Sequence, residues 1–174
     1  MGKKAQGTAP FFVAIRVNAK KKTIDTINSW VNMKLQRLEF RSWDVTAVLD
    51  EQDGDLSCPL IDFLTDLGKQ YEGAVSGLFD FFQRFSVSGR DTFNDELCHY
   101  VDKDEKIWEF IKGDIRVLWF YGNGSRIIIC SHAFIKKSRK TPEKEVNRAI
   151  SAKKKYEVAA KKGRVEIIEE ENAD

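Results

Sequence analysis

The sheet of this protein is specified by residues 106–132, KIWEFIKGDIRVLWFYGNGSRIIICSH. This stretch contains three apolar segments that predict strands, at 106–112, 115–121 and 125–132. Short glycine-containing sequences at 112–114 and 122–124 separate the segments and are typical of tight turns. The middle segment is apolar on both faces except at Arg116, which predicts an inner strand of a sheet that is covered on both sides.

Segments with the apolar spacing of helices lie before and after these three strands. Apolar residues at i, i+3, i+4 and i+7 predict two short antiparallel helices over about 59–67 and 70–86. A Thr-Pro-Glu cap sequence predicts a basic helix over about 142–162. Upstream, residues 39–49 are predicted as a strand, and apolar residues at helical spacing predict an amphipathic helix over about 23–38.

The predicted order of elements is β-α-α-β-β-β-α, an α+β fold with a mostly antiparallel sheet. Three parts of the chain follow from this order. Residues 1–38 are predicted to be an N-terminal extension with a disordered start and a helix. Residues 39–164 are predicted to form the main domain, and residues 165–174 an acidic tail.

Composition excludes several classes of protein. The 174 residues fit one domain, and no apolar stretch is long enough for a membrane helix, so no membrane partner is expected. Three cysteines without CxxC spacing indicate reduced thiols in a cytoplasmic protein. Two histidines are too few for a His-rich zinc site, and the acidic residues 50–55 lack the spacing of a calcium loop. Motifs for nucleotide binding and for common hydrolases are absent, and neither a metal nor a cofactor is expected.

Charge is strongly segregated along the chain. Residues 132–164 carry 12 Lys or Arg and 3 Asp or Glu, whereas residues 40–102 carry 4 and 13. A basic surface of this kind indicates a polyanionic partner such as RNA or DNA. A solvated Lys-rich helix is the alternative interpretation, and charge alone does not separate the two.

Arg116 is the first candidate for a functional residue, because a charge inside an apolar strand is costly unless something pairs with it or uses it. If the 122–124 loop pairs Tyr121 with Ser125, Arg116 faces Cys130 and has His132 as its diagonal neighbour. A two-residue loop would instead place Arg116 and His132 on opposite faces. A structural ion pair with an acid among residues 40–102 is an equally good explanation of Arg116.

Basic residues that follow His132 complete the candidate site. Lys136 and Lys137 begin a basic loop that leads to a helix N-terminus, where cations and backbone N–H groups can bind phosphate. A histidine side chain ordinarily has a pKa near neutrality, so His132 is the local candidate for proton transfer.

At this point a family resemblance is recognisable. It is carried by the segments Ile107-Trp108-Glu109-Phe110, Ile115–Tyr121 and His132–Pro142. These segments resemble the RelE/HigB superfamily of bacterial toxins, and in particular its phage-derived HigB-like branch. The resemblance covers roughly residues 40–160, and Ala133 departs from it because glycine is commoner at that place.

The resemblance implies a compact RelE-like fold and a toxin of a toxin–antitoxin system. It implies metal-independent cleavage of mRNA in the A site of the 30S ribosomal subunit, and neutralisation by a cognate, HTH-type, HigA-like antitoxin. The catalytic residues carried over are Arg116, His132, Lys136 and Lys137. The RNA-binding residues expected beside them are Arg139, Lys140, Lys144, Arg148, Lys153 and Lys154. Two alternatives stay open, a ParE-like gyrase poison and a non-toxic phage protein that binds nucleic acid.

Overall fold

The computed structural model describes residues 32–124 and 126–169. These residues form nine strands and three α-helices. The strands are β1 (Met33–Phe40), β2 (Asp44–Val48), β3 (Asp50–Gln52), β4 (Asp55–Ser57), β5 (Cys98–Asp102), β6 (Ile107–Lys112), β7 (Ile115–Tyr121), β8 (Ile127–Ile135) and β9 (Val165–Ile168). The helices are α1 (Pro59–Asp66), α2 (Glu72–Ser88) and α3 (Glu143–Lys161). Among the described residues, no helix has both the length and the apolar character needed to cross a lipid bilayer.

Seven of these strands form one sheet in the order β5-β6-β7-β8-β2-β1-β9, while β3 and β4 pair only with each other. Neighbouring strands are antiparallel except for the pairs β2–β8 and β1–β9, which are parallel. The prediction of an α+β fold with a mostly antiparallel sheet is confirmed. The two predicted helices after residue 58, the three consecutive strands and the basic helix are also present, with bounds shifted by a few residues.

Helices cover the two faces of the sheet. Side chains of α1 and α2 share one core with Ile115, Val117 and Trp119, whereas side chains of α3 share a second core with Leu118 and Phe120. Successive side chains of a strand point to opposite faces, so β7 is buried on both sides. This confirms the prediction that the middle apolar segment is an inner strand of a covered sheet.

The predicted helix over 23–38 is wrong for the part that the structure describes. Residues 33–38 belong to β1, which lies between β2 and β9, and residues 23–31 fall outside the described ranges. Leu35 packs in the core on the α3 face and Leu38 packs against the opposite core. A strand that buries side chains on both faces can therefore show apolar residues three apart, a spacing that also predicts a helix.

The predicted boundaries of the strands next to β1 also differ from those in the structure. The predicted strand over 39–49 is interrupted, because β1 ends at Phe40 and β2 begins at Asp44. The proposed division between residues 38 and 39 therefore falls inside β1. The predicted acidic tail begins with β9, which pairs in parallel with β1, and β5 at the other edge of the sheet was not predicted.

The β7–β8 hairpin does not have the register in which Tyr121 pairs with Ser125. Tyr121 pairs with Ile128, and Arg116 pairs with Phe134 rather than with Cys130. A bulge between Leu118 and Trp119 shifts the pairing, so that Leu118 lies opposite His132. Because Leu118 belongs to the core on the α3 face, Arg116 and His132 also lie on that face, and His132 is the diagonal neighbour of Arg116, which confirms that part of the expectation.

Candidate functional site

A buried carboxylate organises the α3 face at one end of the sheet. Glu109 lies on β6, directly opposite Leu118 of β7, and its side chain has no exposed surface. The alternation along β6 turns Trp108 and Phe110 towards the core formed with α1 and α2, and leaves Ile107 and Glu109 on the other face. A carboxylate in this position requires compensating charges or hydrogen bonds.

Four side chains surround Glu109. Thr141 Oγ1 donates a hydrogen bond of 3.2 Å to Oε2, and His99 Nε2 lies 3.0 Å from Oε1. Arg116 Nε and Lys136 Nζ each lie 4.0 Å from the same Oε1. His99 Nε2 is the neighbour of Oε1 within hydrogen-bond distance, whereas the two cations are too far away for a hydrogen bond to it. The five residues are called the Glu109 cluster below.

Arg116 is held by the turn that precedes it. Its Nη1 donates to the carbonyl oxygens of Gly113, at 2.6 Å, and Ile115, at 2.9 Å. Its side chain is mostly buried, and its Nε has no hydrogen-bond partner among the described residues. Arg116 pairs with Ile111 and Glu109 pairs with Leu118, so the two charges are diagonal neighbours on adjacent strands. The arginine therefore has an acidic neighbour, but it is Glu109 and not an acid of residues 40–102.

Lys136 reaches the cluster from the end of β8. Its backbone N–H donates to the carbonyl oxygen of Asp114 at 2.8 Å, which ties residue 136 to the β6–β7 turn. Its ammonium group makes no hydrogen bond within the described residues, and Glu109 is the only acidic side chain within 4.0 Å. The structure thus places the side chains of Arg116 and Lys136, two of the predicted catalytic residues, beside the same carboxylate oxygen.

His132 lies deeper, beneath α3. Only 1 % of its surface is exposed, and both ring nitrogens lie 2.9 Å from protein partners, Nδ1 from Ser131 Oγ and Nε2 from Glu145 Oε2. The pKa of His132 is lowered to about 4, mainly by burial and also by the nearby charge of Arg148, although Glu145 acts in the opposite direction. At neutral pH the ring is uncharged, donates to the Glu145 carboxylate and accepts from the Ser131 hydroxyl. This arrangement anchors α3 to β8 and leaves no ring nitrogen free for a substrate.

The remaining predicted residues lie along the β8–α3 connection and α3. Lys137, Arg139, Lys140, Lys144, Arg148 and Lys154 are exposed. Lys153 is different, because it donates a hydrogen bond of 2.6 Å to the carbonyl oxygen of Glu105 and is mostly buried. Lys154 lines a shallow groove on α3 together with Ile150 and Val158.

Sequence reasoning missed His99, Glu109 and Thr141. The signal for Glu109 was present, because it is a charge inside an apolar strand just as Arg116 is. A two-residue turn at Gly113-Asp114 makes these two charges diagonal neighbours. His99 had no such signal, since it lies on β5, a strand that the sequence pattern did not predict.

His99 joins the cluster from the edge strand. Its Nδ1 lies 2.8 Å from the carbonyl oxygen of Asp95, which can only accept, so Nδ1 carries a proton. Its Nε2 faces Glu109, and two fifths of its side chain is exposed. Both nitrogens of each histidine in the chain therefore face protein groups. The groups of the Glu109 cluster that are available to a ligand are therefore the two cations and the carboxylate rather than a free imidazole nitrogen.

Comparison with known families identifies the chain's relatives. The model of the family described as phage derived protein Gp49-like (DUF891) matches residues 52–154. This match covers more than half of the 174 residues. The chain belongs to the Gp49-like family. A comparison with curated proteins finds no significant match.

The Gp49-like family is toxin-like and related to RelE and HigB, which confirms the coarser part of the resemblance. The matched residues run from the β3–β4 hairpin into α3, so Glu109, Arg116 and Lys136 all lie inside the match. β1, β2 and β9 lie outside it.

The Glu109 cluster can stabilise an anion at the surface of the sheet. Arg116 is fixed by two backbone carbonyl groups, and Lys136 adds a second positive charge beside the single carboxylate, so the cluster presents positive charge to a ligand. The exposed basic residues of 137–148 extend this charge along the β8–α3 connection. Within the described residues, no group of three or more His, Cys, Asp and Glu side chains is placed to hold a metal ion.

Proposed function

We propose that this Gp49-like protein is a toxin that cleaves mRNA without a metal ion and so inhibits translation. The observation that carries the proposal is the meeting of Arg116 and Lys136 at one buried carboxylate, each 4.0 Å from Glu109 Oε1. Two cations held at one place suit the transition state of phosphoryl transfer, in which negative charge builds up on the phosphate oxygens. The toxin-like family supports the same conclusion.

The reaction is an internal transesterification of RNA. The ribose 2′-oxygen bonds to the adjacent phosphorus while the P–O5′ bond breaks with its electron pair on O5′. The net proton transfer is from O2′ to O5′, which leaves a 2′,3′-cyclic phosphate and a 5′-hydroxyl. Arg116 and Lys136 stabilise the charged phosphorane, and Lys137 adds charge at the exposed side. His132 takes no direct part, because it is buried and both its nitrogens are bonded.

The exposed basic residues would hold the RNA backbone. We assign this role to Arg139, Lys140, Lys144, Arg148 and Lys154. The mRNA in the A site of the 30S ribosomal subunit is the proposed substrate, and a cognate HTH-type antitoxin is the proposed partner that neutralises the toxin. In this proposal β6-β7-β8-β2, with α1 and α2 on one face, is the RelE-like core, and β1, β9 and β5 are additions to it.

Induction of the wild-type gene in bacteria tests the proposal. Incorporation of labelled amino acid should stop before incorporation of labelled thymidine, and new mRNA 3′ ends should carry cyclic phosphates. The Arg116→Ala variant, expressed at the same level, should do neither. Arrest of DNA synthesis with intact mRNA would overturn the proposal in favour of a gyrase poison. Growth without any arrest would favour a non-toxic binding protein.

A further inference from the structure

The strand β5 forms one edge of the seven-stranded sheet, and no strand among the described residues pairs with its outer side. Ile111 donates its N–H to the carbonyl oxygen of Leu97, which makes these two a hydrogen-bonded pair just before β5. Hydrogen-bonded and non-hydrogen-bonded pairs alternate along antiparallel strands, so Tyr100 and Trp108, which lie opposite each other three residues further along, form a non-hydrogen-bonded pair. The N–H and C=O groups of Tyr100 therefore point away from β6, towards the open edge.

A row of aromatic side chains ends at this open edge. The rings of Trp119 and Trp108 are stacked with their centroids 5.4 Å apart, and the centroid of the Tyr100 ring lies 3.7 Å from that of Trp108. Tyr100 is the last ring of the row and is 37 % exposed, and its hydroxyl group makes no hydrogen bond within the described residues. An exposed ring beside unpaired main-chain groups favours the addition of a strand that carries another aromatic side chain.

We propose that β5 pairs with β5 of a second copy of this chain, antiparallel and symmetric about Tyr100. In this register the two Tyr100 residues exchange both of their main-chain hydrogen bonds and place their rings beside each other. The aromatic row then continues from one copy into the other. The pairing joins the two seven-stranded sheets into one continuous sheet.

The charges in and around β5 favour a second copy as the occupant of the edge. Glu96 precedes the strand and Lys103 follows it, both are exposed, and neither makes an ion pair within the described residues. Antiparallel pairing brings the start of each strand beside the end of the other, so that Lys103 of each copy meets Glu96 of the second copy. Asp102, the one acidic residue of β5, lies opposite Cys98 of the second copy, so no like charges are opposed within the strand pair.

The symmetric pair also reaches the Glu109 cluster on the other face of the sheet. Val101 packs with the core on the α3 face, which is the face on which His99 meets Glu109. In the proposed register Val101 of the second copy lies opposite His99, and it covers the two fifths of that side chain that are exposed in a single copy. The two clusters then lie on one face of the joined sheet, three strand spacings or about 14 Å apart.

Sedimentation velocity of the full-length protein tests the pairing. A strand pair of this length is a small interface, so the wild-type chain should form a dimer at high concentration that dissociates on dilution. Tyr100→Lys removes the ring contact and opposes two like charges at the symmetry axis, so it should raise the dissociation constant of the dimer at least about tenfold. Tyr121→Lys is the matched control, because Tyr121 is 38 % exposed on the same face but lies on the inner strand β7. It should dimerise as the wild-type chain does.

Cross-linking provides a second measurement of the register. Two residues in a hydrogen-bonded antiparallel pair have their Cα atoms about 5.5 Å apart, which is within the range of a disulfide. Cys58, Cys98 and Cys130 are all buried, so they compete little for an oxidant. Under mild oxidation Tyr100→Cys should form a disulfide-linked dimer, and Tyr121→Cys should not.

Three results would overturn the inference. They are a wild-type chain that is monomeric at every concentration measured, a dimer that Tyr100→Lys leaves unchanged, and equal cross-linking of the two cysteine variants. If circular dichroism shows that Tyr100→Lys does not fold, cross-linking of the folded Tyr100→Cys protein decides instead. Failure of the dimer would leave the proposed cleavage of mRNA untouched, because Arg116 and Lys136 meet Glu109 within a single copy.

Discussion

At the scale of single residues, the site depends on two opposite charges that lie inside apolar strands. Glu109 of β6 and Arg116 of β7 each have a largely or fully buried side chain, and they are diagonal neighbours on the α3 face. Either charge alone would be expensive to bury, and the pair is incompletely neutralised because the nearest atoms are 4.0 Å apart. A buried ion pair of this kind adds little net stability, so a functional role is the better explanation of these two charges.

Truncation of Arg116 should affect the chemical step far more than binding. Arg116→Ala should lower the rate of single-turnover RNA cleavage by about 100- to 1,000-fold, because it removes a charge aimed at the developing anion. Arg139→Ala is the comparison, since Arg139 is an exposed residue of the connection and should change mainly the affinity. An Arg116→Ala protein that cleaves near the wild-type rate would show that the active site lies elsewhere.

The buried histidine should make folding stability depend on pH. The pKa of His132 falls from its ordinary value of 6.5 to about 4 in the folded protein, mainly because of burial. The unfolded chain therefore binds a proton at a higher pH than the folded chain, and the free energy of unfolding decreases as the pH falls through this window. Denaturant unfolding should show a loss on the order of 3 kcal/mol between about pH 6.5 and pH 4.

His132→Gln provides the comparison for this measurement. The variant lacks the titrating ring, so its unfolding free energy should change less over the same interval of pH. Identical pH dependence in the two proteins would mean that His132 is not buried as the structure places it.

At the scale of elements, α3 both closes the core and presents positive charge, and its lysines divide between these two roles. Lys153 is mostly buried and donates to the carbonyl oxygen of Glu105, whereas Lys154 and Lys155 are exposed. Tyr156 and Ala149 pack in the core beneath the helix. One side of α3 therefore closes the core, and the other presents charge.

Substitution of these lysines should distinguish the two tasks. The double variant Lys154→Ala/Lys155→Ala should weaken RNA binding. It should also reduce the dependence of log affinity on log salt concentration by about 0.7 for each lost contact. Lys153→Ala should instead lower the midpoint of thermal unfolding, because the Glu105 carbonyl loses its partner. Equal effects of the two variants on salt dependence would contradict this division.

At the scale of the whole molecule, the sheet joins distant parts of the chain. β1 pairs with β2 on one side and with β9 on the other, so residues near both ends of the described chain complete the sheet. Leu35 has no exposed surface, and Arg37 forms a salt bridge of 2.7 Å with Asp44 that ties β1 to β2. Residues 33–38 are thus part of the folded domain and not an appendage to it.

Truncation tests this organisation. A chain that begins at Asn32 keeps all of β1, whereas a chain that begins at Leu38 loses five of its eight residues, Met33–Arg37. The shorter chain should fail to fold, because it uncovers β2 and β9 and removes Met33 and Leu35 from the core. Cooperative thermal unfolding followed by circular dichroism would distinguish the two chains. Cooperative unfolding of the chain from Leu38 would show that β1 is dispensable.

The sequence by itself determined the elements whose patterns are local. Turn glycines, a cap and helical spacing located α1, α2, α3 and the strands β6 to β8, because each of these signals depends only on neighbouring residues. Arg116 and Lys136 were also identified from the sequence, the first as a misplaced charge and the second from its basic loop and the family resemblance.

Only the tertiary structure decided which residues meet. The register of the β7–β8 hairpin depends on a bulge, and a bulge has no sequence period, so the pairing of Arg116 with Phe134 could not be read from spacing. β1 was mistaken for helix because burial on both faces of a sheet obscures the alternation of a strand. His99 lies directly opposite Glu109 in the β5–β6 hairpin, and this register also depends on an irregularity, between Tyr100 and Asp102, that has no sequence period.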